Sequence, residues 1–506
     1  MVIALNLNRE LRAFSHALTL ARPLAVALPC VLSAFAGGDP VPVHPAPVLA
    51  LVGATLVDVS DLGHGNHDLP DSVVLVRDGA IVAVGTRGKL SVPADARVVD
   101  VTGKFILPGL IDGFAGLNSQ AQASAHLYMG VTSIVASGDD RRGKVFLSAH
   151  PGPHVYLMDS VGTTDAYSVL GRLPEWESKL KGRDVDVELS WDDTSRMMDD
   201  QARMGIRALW LGHLLTAENT LRIIAKAKEL GLATYGEFIA TPYPGPIREG
   251  VSLLLHMSRY ELGMASPELL RPLAADPFGP ASAVAYDAAD IDPSDRRVAG
   301  YARLIADHRV ALMPTFSLFY PQLPGHRNLW KEPAAAILDR AGVFKPTDQT
   351  TGEPAYRSEK TRQSREALAQ RLWAVNREFA RAHPRYLAAT GSAVFGSLPG
   401  ISMHVEMEML VRLGLTPREA LAAATSNYSE QFGWHELGLV AAGRRADLLV
   451  LGADPLADIR NTSRIDRVFV DGTEIDREAL LRRQEPNTRR ILGANNAHGA
   501  DSTTRH

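Results

Sequence analysis

The chain has 506 residues, 46% of them apolar and 22% charged, a balance that allows a sizeable core and excludes wholesale disorder. Its 53 Lys and Arg stand against 57 Asp and Glu, so no large positive field draws in nucleic acid or an anionic membrane. Cys30 is the only cysteine, which excludes disulfides within the chain and, once the leader around it is removed, thiol chemistry as well.

In chain order, Arg9, Arg12 and Arg22 precede an apolar run from Pro23 to Ala36 that ends in Ala34-Phe35-Ala36. A basic start, an apolar middle and a small-residue end predict a cleaved signal peptide over 1–36, and the run is short for a membrane span. Pro29 before Cys30 departs from a lipoprotein cleavage site, so the expected location is periplasmic or secreted, with no membrane partner after cleavage. A buried N-terminal helix is the alternative reading.

A Pro-rich linker over 37–47 leads to alternating apolar segments at Leu49 to Val57, Ser72 to Val76 and Ala80 to Val84, with turns at Asp78-Gly79 and Gly85. Similar segments return at Asp447 to Leu451 and Arg467 to Val470. These predict short strands, with 48–105 and 438–484 forming one small β-sandwich from both chain ends. Between them, Val/Ile/Leu-rich runs alternate with helix-length amphipathic stretches, the pattern of an α/β fold whose parallel strands are covered by helices.

Eight barrel strands are expected near Ile106 to Asp112, Val131 to Ser137, His154 to Met158, Ile206 to Gly212, Leu232 to Glu237, Val251 to His256, Val310 to Thr315 and Tyr386 to Gly391. The reading is a (β/α)8 TIM barrel over 106–437, with functional side chains at the C-terminal strand ends. Two long stretches, Thr163 to Met204 and Leu323 to Pro384, are expected as insertions that shape a pocket or decorate the surface. The tail 485–506 is polar and expected to be disordered.

Several motifs carry a resemblance. Val76 to Gly85 reads VRDGAIVAVG, Gly103 to Asp112 reads GKFILPGLID, Gly130 to Ser133 reads GVTS, and Leu413 to Leu421 reads LGLTPREAL. Ala424-Thr425-Ser426-Asn427 and Gly443-Arg444-Arg445-Ala446-Asp447-Leu448 follow. Together they resemble the amidohydrolase superfamily, in particular the branch of imidazolonepropionase and exported Xaa-Pro or Xaa-Arg dipeptidases.

The resemblance implies one or two divalent metals, often zinc, that polarise a carbonyl and activate water. Aligned on its pattern, the His-x-His pair after Asp112 falls on Phe114 and Gly116, the bridging lysine on Trp210, and the fifth-strand His on Glu237. The sixth-strand histidine is kept as His256, while the Gly-Thr-Asp ending of the eighth reads Gly391-Ser392-Ala393. Phenylalanine, glycine and tryptophan cannot coordinate, so the expectation is no cofactor and no usual metal site. Phe114 and Trp210 are expected to line an apolar ligand pocket.

Glu237 and His256 end adjacent strands, and are either a proton-sharing catalytic pair or a structural ion pair. Asp112 is either catalytic or held by backbone amides. His213 could join Glu237 and His256 in a relocated zinc site. His404 either touches ligand or is satisfied in the core, and Ser392 and Ser397 offer hydroxyls without a nucleophile-elbow pattern. His64 and His67 are read as surface histidines.

Three functions remain: a binder of a small amide, peptide-like or cyclic ligand in the barrel mouth; an enzyme acting on carbon-nitrogen bonds, or a lyase or isomerase, through Glu237 and His256; and a scaffold with a collapsed pocket. A homo-oligomer is compatible with each.

Overall fold

The structure is a computed structural model that describes residues 48–136, 145–164, 187–212, 215–266 and 291–482, with a few single positions between 168 and 176 and between 268 and 271. The leader 1–36, the linker 37–47, His213 and the tail 485–506 lie outside the described residues.

The first strands are β1 (Leu49–Val52), β2 (Thr55–Leu56), β3 (Ser72–Arg77), β4 (Ala80–Thr86), β5 (Arg97–Asp100) and β6 (Phe105–Pro108). They are followed by β7 (Leu110–Ala115), β8 (Val131–Ala136), β9 (His154–Ser160), β10 (Ala208–Leu211), β11 (Ala233–Gly236), β12 (Leu253–Leu255), β13 (Ala311–Met313) and β14 (Arg385–Tyr386). The chain ends on β15 (Leu448–Leu451), β16 (Ile465–Val470) and β17 (Thr473–Glu474).

Strands β7 to β14 form one eight-stranded sheet in chain order, and every pairing in it is parallel. Its ends are drawn together, for the Gly391 amide donates to the Phe114 carbonyl at 2.8 Å and the Gly113 amide reaches Ala388 O at 3.4 Å. The architecture is mixed α/β and consistent with a TIM-like barrel plus extra sheets. Helices such as Ala217–Leu230 and Arg296–Asp307 cover the strands with their apolar faces. Both have side-chain N-caps, Thr216 accepting from Asn219 N and Asp295 from Arg297 N, which satisfies donors otherwise orphaned at a helix start.

Two expectations are corrected here. Ile106 to Pro108 do not open the barrel: β6 pairs with β2 and β15, and the parallel sheet starts at Leu110. The break falls at Gly109, where a Cβ would lie 2.0 Å from the Thr132 hydroxyl, so the chain changes sheets where only glycine fits. The stretches 163–204 and 323–384 are not pure insertions, because each contributes a long helix, Trp191–Arg203 and Glu359–Ala380.

Period-2 alternation explains the layers. In β1, Leu49 and Leu51 meet Ile106, Leu448, Val450 and Phe469 between the four-stranded sheet (order β4-β3-β1-β5) and the five-stranded sheet (order β17-β16-β15-β6-β2). Ala50 and Val52 point to the other face, while Leu449 and Leu451 turn towards the barrel's helical layer. Inside the eight-stranded sheet, Ile111, Val135, Tyr156, Met158, Ala208, Tyr235, Leu253, Leu255, Ala311 and Met313 form a filled apolar interior, as a barrel of eight strands requires.

Asp112 is fully buried and ties the first strand to the chain after the last. Its Oδ1 accepts from the Thr390 amide at 2.9 Å and its Oδ2 from the Thr390 hydroxyl at 2.6 Å. Removing a buried charged acceptor leaves those donors unsatisfied. Asp112→Ala is expected to lower the unfolding free energy by about 3 kcal/mol, and Thr390→Val, which keeps the amide bond, by about 1 kcal/mol; urea denaturation of both variants checks the order.

Two histidines are buried with these elements. His404, on helix Ile401–Leu413, directs Nε2 at the Met129 carbonyl (2.9 Å) and Nδ1 at the Thr462 hydroxyl (2.8 Å). A carbonyl only accepts, so Nε2 carries the proton. Burial pushes the pKa values of His404 and His126 down to about 4. A depressed histidine stabilises the fold above the unfolded value near 6.5, and that contribution is lost as pH falls from there towards 4. Each is worth up to about 3 kcal/mol, so unfolding curves at pH 7 and pH 4.5 are expected to differ less for His404→Gln than for the unmodified chain.

Candidate functional site

The side chains at the C-terminal end of the eight-stranded sheet follow from strand parity. Ala208 points inward, so Trp210 does as well; Tyr235 points inward, and so does Glu237; Met313 points inward, and Thr315 continues its row. His256 breaks the alternation. It follows Leu255, itself an inward residue, yet takes φ +59°, and its ring lies 5.2 Å from that of Phe114 in an edge-on contact.

Thr315 also has positive φ, +52°, and its hydroxyl lies 2.7 Å from His256 Nδ1. Two non-glycine residues in the left-handed region, bonded to each other at neighbouring strand ends, are costly and persist only where the surroundings impose them. Part of that imposition comes from Glu406, whose carboxylate accepts from the Phe316 amide (3.0 Å), the Ser317 amide (2.9 Å) and the Ser317 hydroxyl (2.7 Å). Burial pushes Glu406 up to about 8.

Glu237 is nearly buried, at 7% exposure. Its Oε2 accepts from Trp210 Nε1 at 3.0 Å and its Oε1 from Arg259 Nε at 2.9 Å. The surviving carboxylate is thus engaged by an indole and a guanidinium. Arg259 was not singled out in the sequence; its only signal is its place three residues after His256, on the short helix Met257–Tyr260.

The other candidates fall elsewhere or into structural roles. Asp112 has the closing role described above. Gly116 donates its amide to the Ser392 carbonyl, and a Cβ there would stand 3.1 Å from that oxygen, so the position has little room for a larger side chain. Ser392 is fully buried, with its amide on the Thr390 hydroxyl at 3.0 Å, and Ser397 donates to the Thr390 carbonyl at 2.9 Å. His404 is away from this end: Met129 precedes β8, which puts its contact at the N-terminal side of the strands. His67 is exposed, 3.6 Å from Asp58.

Among the described residues, three potential metal donors converge at His154, Asp447 and Asp471. His154 opens β9, so this trio is at the opposite end of the sheet from Glu237 and His256.

Comparison with known proteins gives a consistent placement. The amidohydrolase family model matches residues 381–475. An imidazolonepropionase from Geobacillus sp. (strain WCH70) is 23% identical over 417 residues, covering 76% of this chain and 84% of the relative. The fold is shared with a bottromycin amidohydrolase (TM-score 0.58, 20% identity, 86% of this chain and 88% of that one). It is shared too with a Xaa-Pro dipeptidase that has methionine bound in its active site (TM-score 0.54, 14% identity, 85% and 99%). The chain is therefore similar to the amidohydrolase family over its closing segment and, at 23% identity, to an imidazolonepropionase along most of its length.

Proposed function

We propose that this chain is a metal-independent member of the superfamily that binds a small amide, peptide-like or cyclic ligand at the C-terminal ends of its barrel strands. The observation that carries the reading is the engagement of both Glu237 oxygens, by Trp210 and by Arg259. A guanidinium balances the carboxylate's charge where the family pattern would have a cation. Phe114, Gly116 and Trp210 do not fit the donor set of a divalent metal site.

The chain's own residues supply a ligand-binding surface. The fixed Glu237 carboxylate accepts from an amide N–H, His256 is oriented by Thr315, and the Phe114 ring edge offers apolar contact. The Xaa-Pro dipeptidase of the same fold, with an amino acid in its active site, favours a ligand of this size.

The same geometry favours a second reading, in which His256 and Glu237 move a proton in a carbon-nitrogen bond cleavage, lyase or isomerase step. Its support is the positive-φ pair His256 and Thr315, a strain of the kind found where a side chain is held ready to react. Turnover of dipeptides, N-acyl amino acids or lactams that disappears in both Glu237→Gln and His256→Asn would favour it over binding alone.

The wider reading retains export through a cleaved leader over 1–36 and a sandwich built from 48–105 and 438–484. Intact mass of the protein recovered from a periplasmic fraction tests the cleavage.

Two measurements test the binding reading. In a thermal-shift screen, a ligand at a hundredfold its dissociation constant adds about 2.7 kcal/mol; Trp210→Ala is expected to abolish the shift, and silence across dipeptides, N-acyl amino acids and lactams sinks the proposal. Elemental analysis is expected to give the same metal content for the unmodified chain and the Glu237→Gln, His256→Asn double variant. Stoichiometric zinc, manganese or iron that vanishes in the double variant overturns metal independence. Arg259→Met, which strips Glu237 of its counter-charge, is expected to cost about 3 kcal/mol of stability, most of it recovered when Glu237→Gln is added.

A further inference from the structure

At the N-terminal end of the barrel, three donors come from three separate elements. His154 is the first residue of β9, Asp447 immediately precedes β15, and Asp471 is in the turn between β16 and β17. His154 Nε2 lies 3.4 Å from Asp447 Oδ1 and 3.3 Å from Asp471 Oδ2. The three donor atoms all fall within 4.8 Å of one another.

Those separations have a chemical meaning. Two donors each about 2.1 Å from a metal at a tetrahedral angle stand roughly 3.4 Å apart. A direct charge-assisted hydrogen bond is shorter, about 2.7–2.9 Å. His154 Nε2 is closed to solvent and lies within ion-pair range of both carboxylates, at separations longer than a direct charge-assisted hydrogen bond. An imidazole nitrogen in that position is placed as a metal ligand would be.

The carboxylates are oriented by other partners. Asp447 Oδ2 accepts from Arg445 Nε at 2.8 Å, and Oδ1 accepts from the Asp471 amide at 3.0 Å. A carboxylate oxygen has two lone-pair sites, so Oδ1 retains one for an ion. Outer hydrogen bonds of this kind fix ligand geometry in metal sites. Asp471 has φ +48° beside Gly472, a tight-turn conformation that Asp and Asn tolerate, and half its side chain is open to solvent, leaving an entry path.

We propose that His154, Asp447 and Asp471 form a divalent transition-metal site that rivets the start of a barrel strand to the five-stranded sheet. One imidazole and two carboxylates suit zinc, cobalt or nickel, with water completing the shell. The site is remote from Glu237 and His256, so its role is structural, and it does not depend on the reading proposed for the mouth.

The test uses the full chain, stripped with a chelator and titrated with cobalt(II). The expected result is one equivalent bound, a visible ligand-field spectrum, displacement by zinc and a rise in Tm. His154→Gln and Asp471→Asn are each expected to weaken binding at least tenfold; asparagine keeps the turn, so Asp471→Asn reports on coordination and not on folding. The Glu237→Gln, His256→Asn double variant is expected to bind as the unmodified chain does. No binding by the unmodified chain, or equal binding by His154→Gln and Asp471→Asn, overturns the site. Loss of the ion in the double variant alone puts it in the mouth and overturns the proposal.

Discussion

A parallel sheet of eight strands has two end strands, and each would expose a row of unpaired backbone groups unless the ends meet. The Asp112 carboxylate makes the meeting specific, since its two oxygens take the amide and the hydroxyl of a single residue, Thr390. Phe114 lies two residues beyond Asp112 and Ser392 two residues beyond Thr390. The same closure therefore fixes the side chains on both sides of the seam, and the Gly116 amide on the Ser392 carbonyl extends it. At this strand end Asp112 is buried and each of its oxygens accepts from Thr390.

Charge at the other strand ends obeys the same economy. A carboxylate as buried as Glu237 is costly without compensation, and compensation comes from a guanidinium and an indole N–H, both donors only. Arginine suits this duty because its planar fork is always charged and weakly hydrated. Around it stand Phe114, Trp210 and, deeper, Tyr235 and Met313, a surrounding of low polarity that strengthens each remaining electrostatic contact.

The strands were legible because each is a short apolar run between turn residues, and parity then places Trp210 and Glu237 on one face. The first strand was misjudged at Ile106 because Phe105 to Asp112 reads as one apolar run; the switch of sheets at Gly109 depends on Thr132, a residue distant in sequence whose approach no local pattern announces. Arg259 was missed for a related reason. Its pairing with Glu237 joins residues 22 apart across two strands, and an arginine on a short helix carries no mark of where its side chain reaches. A histidine among methionines on a helix fits ligand contact and core alike; the partners of His404, Met129 and Thr462, stand 275 and 58 residues away, where no local pattern announces them.

The two ends of the barrel divide the work. At the N-terminal end, Trp434 stacks on Tyr156 with ring centres 4.5 Å apart, Arg207 lies over both rings at 5.2 and 5.1 Å, and Glu436 joins Tyr156 and Arg207 at 2.9 and 3.2 Å. Arg445 links this cluster to Asp447 and so to the His154 trio. These contacts bind the barrel floor to the closing segment and the five-stranded sheet without using any mouth residue. Contacts of the fold are thus present at both ends of the strands: this aromatic and ionic cluster at the floor, and the Asp112–Thr390 closure at the mouth.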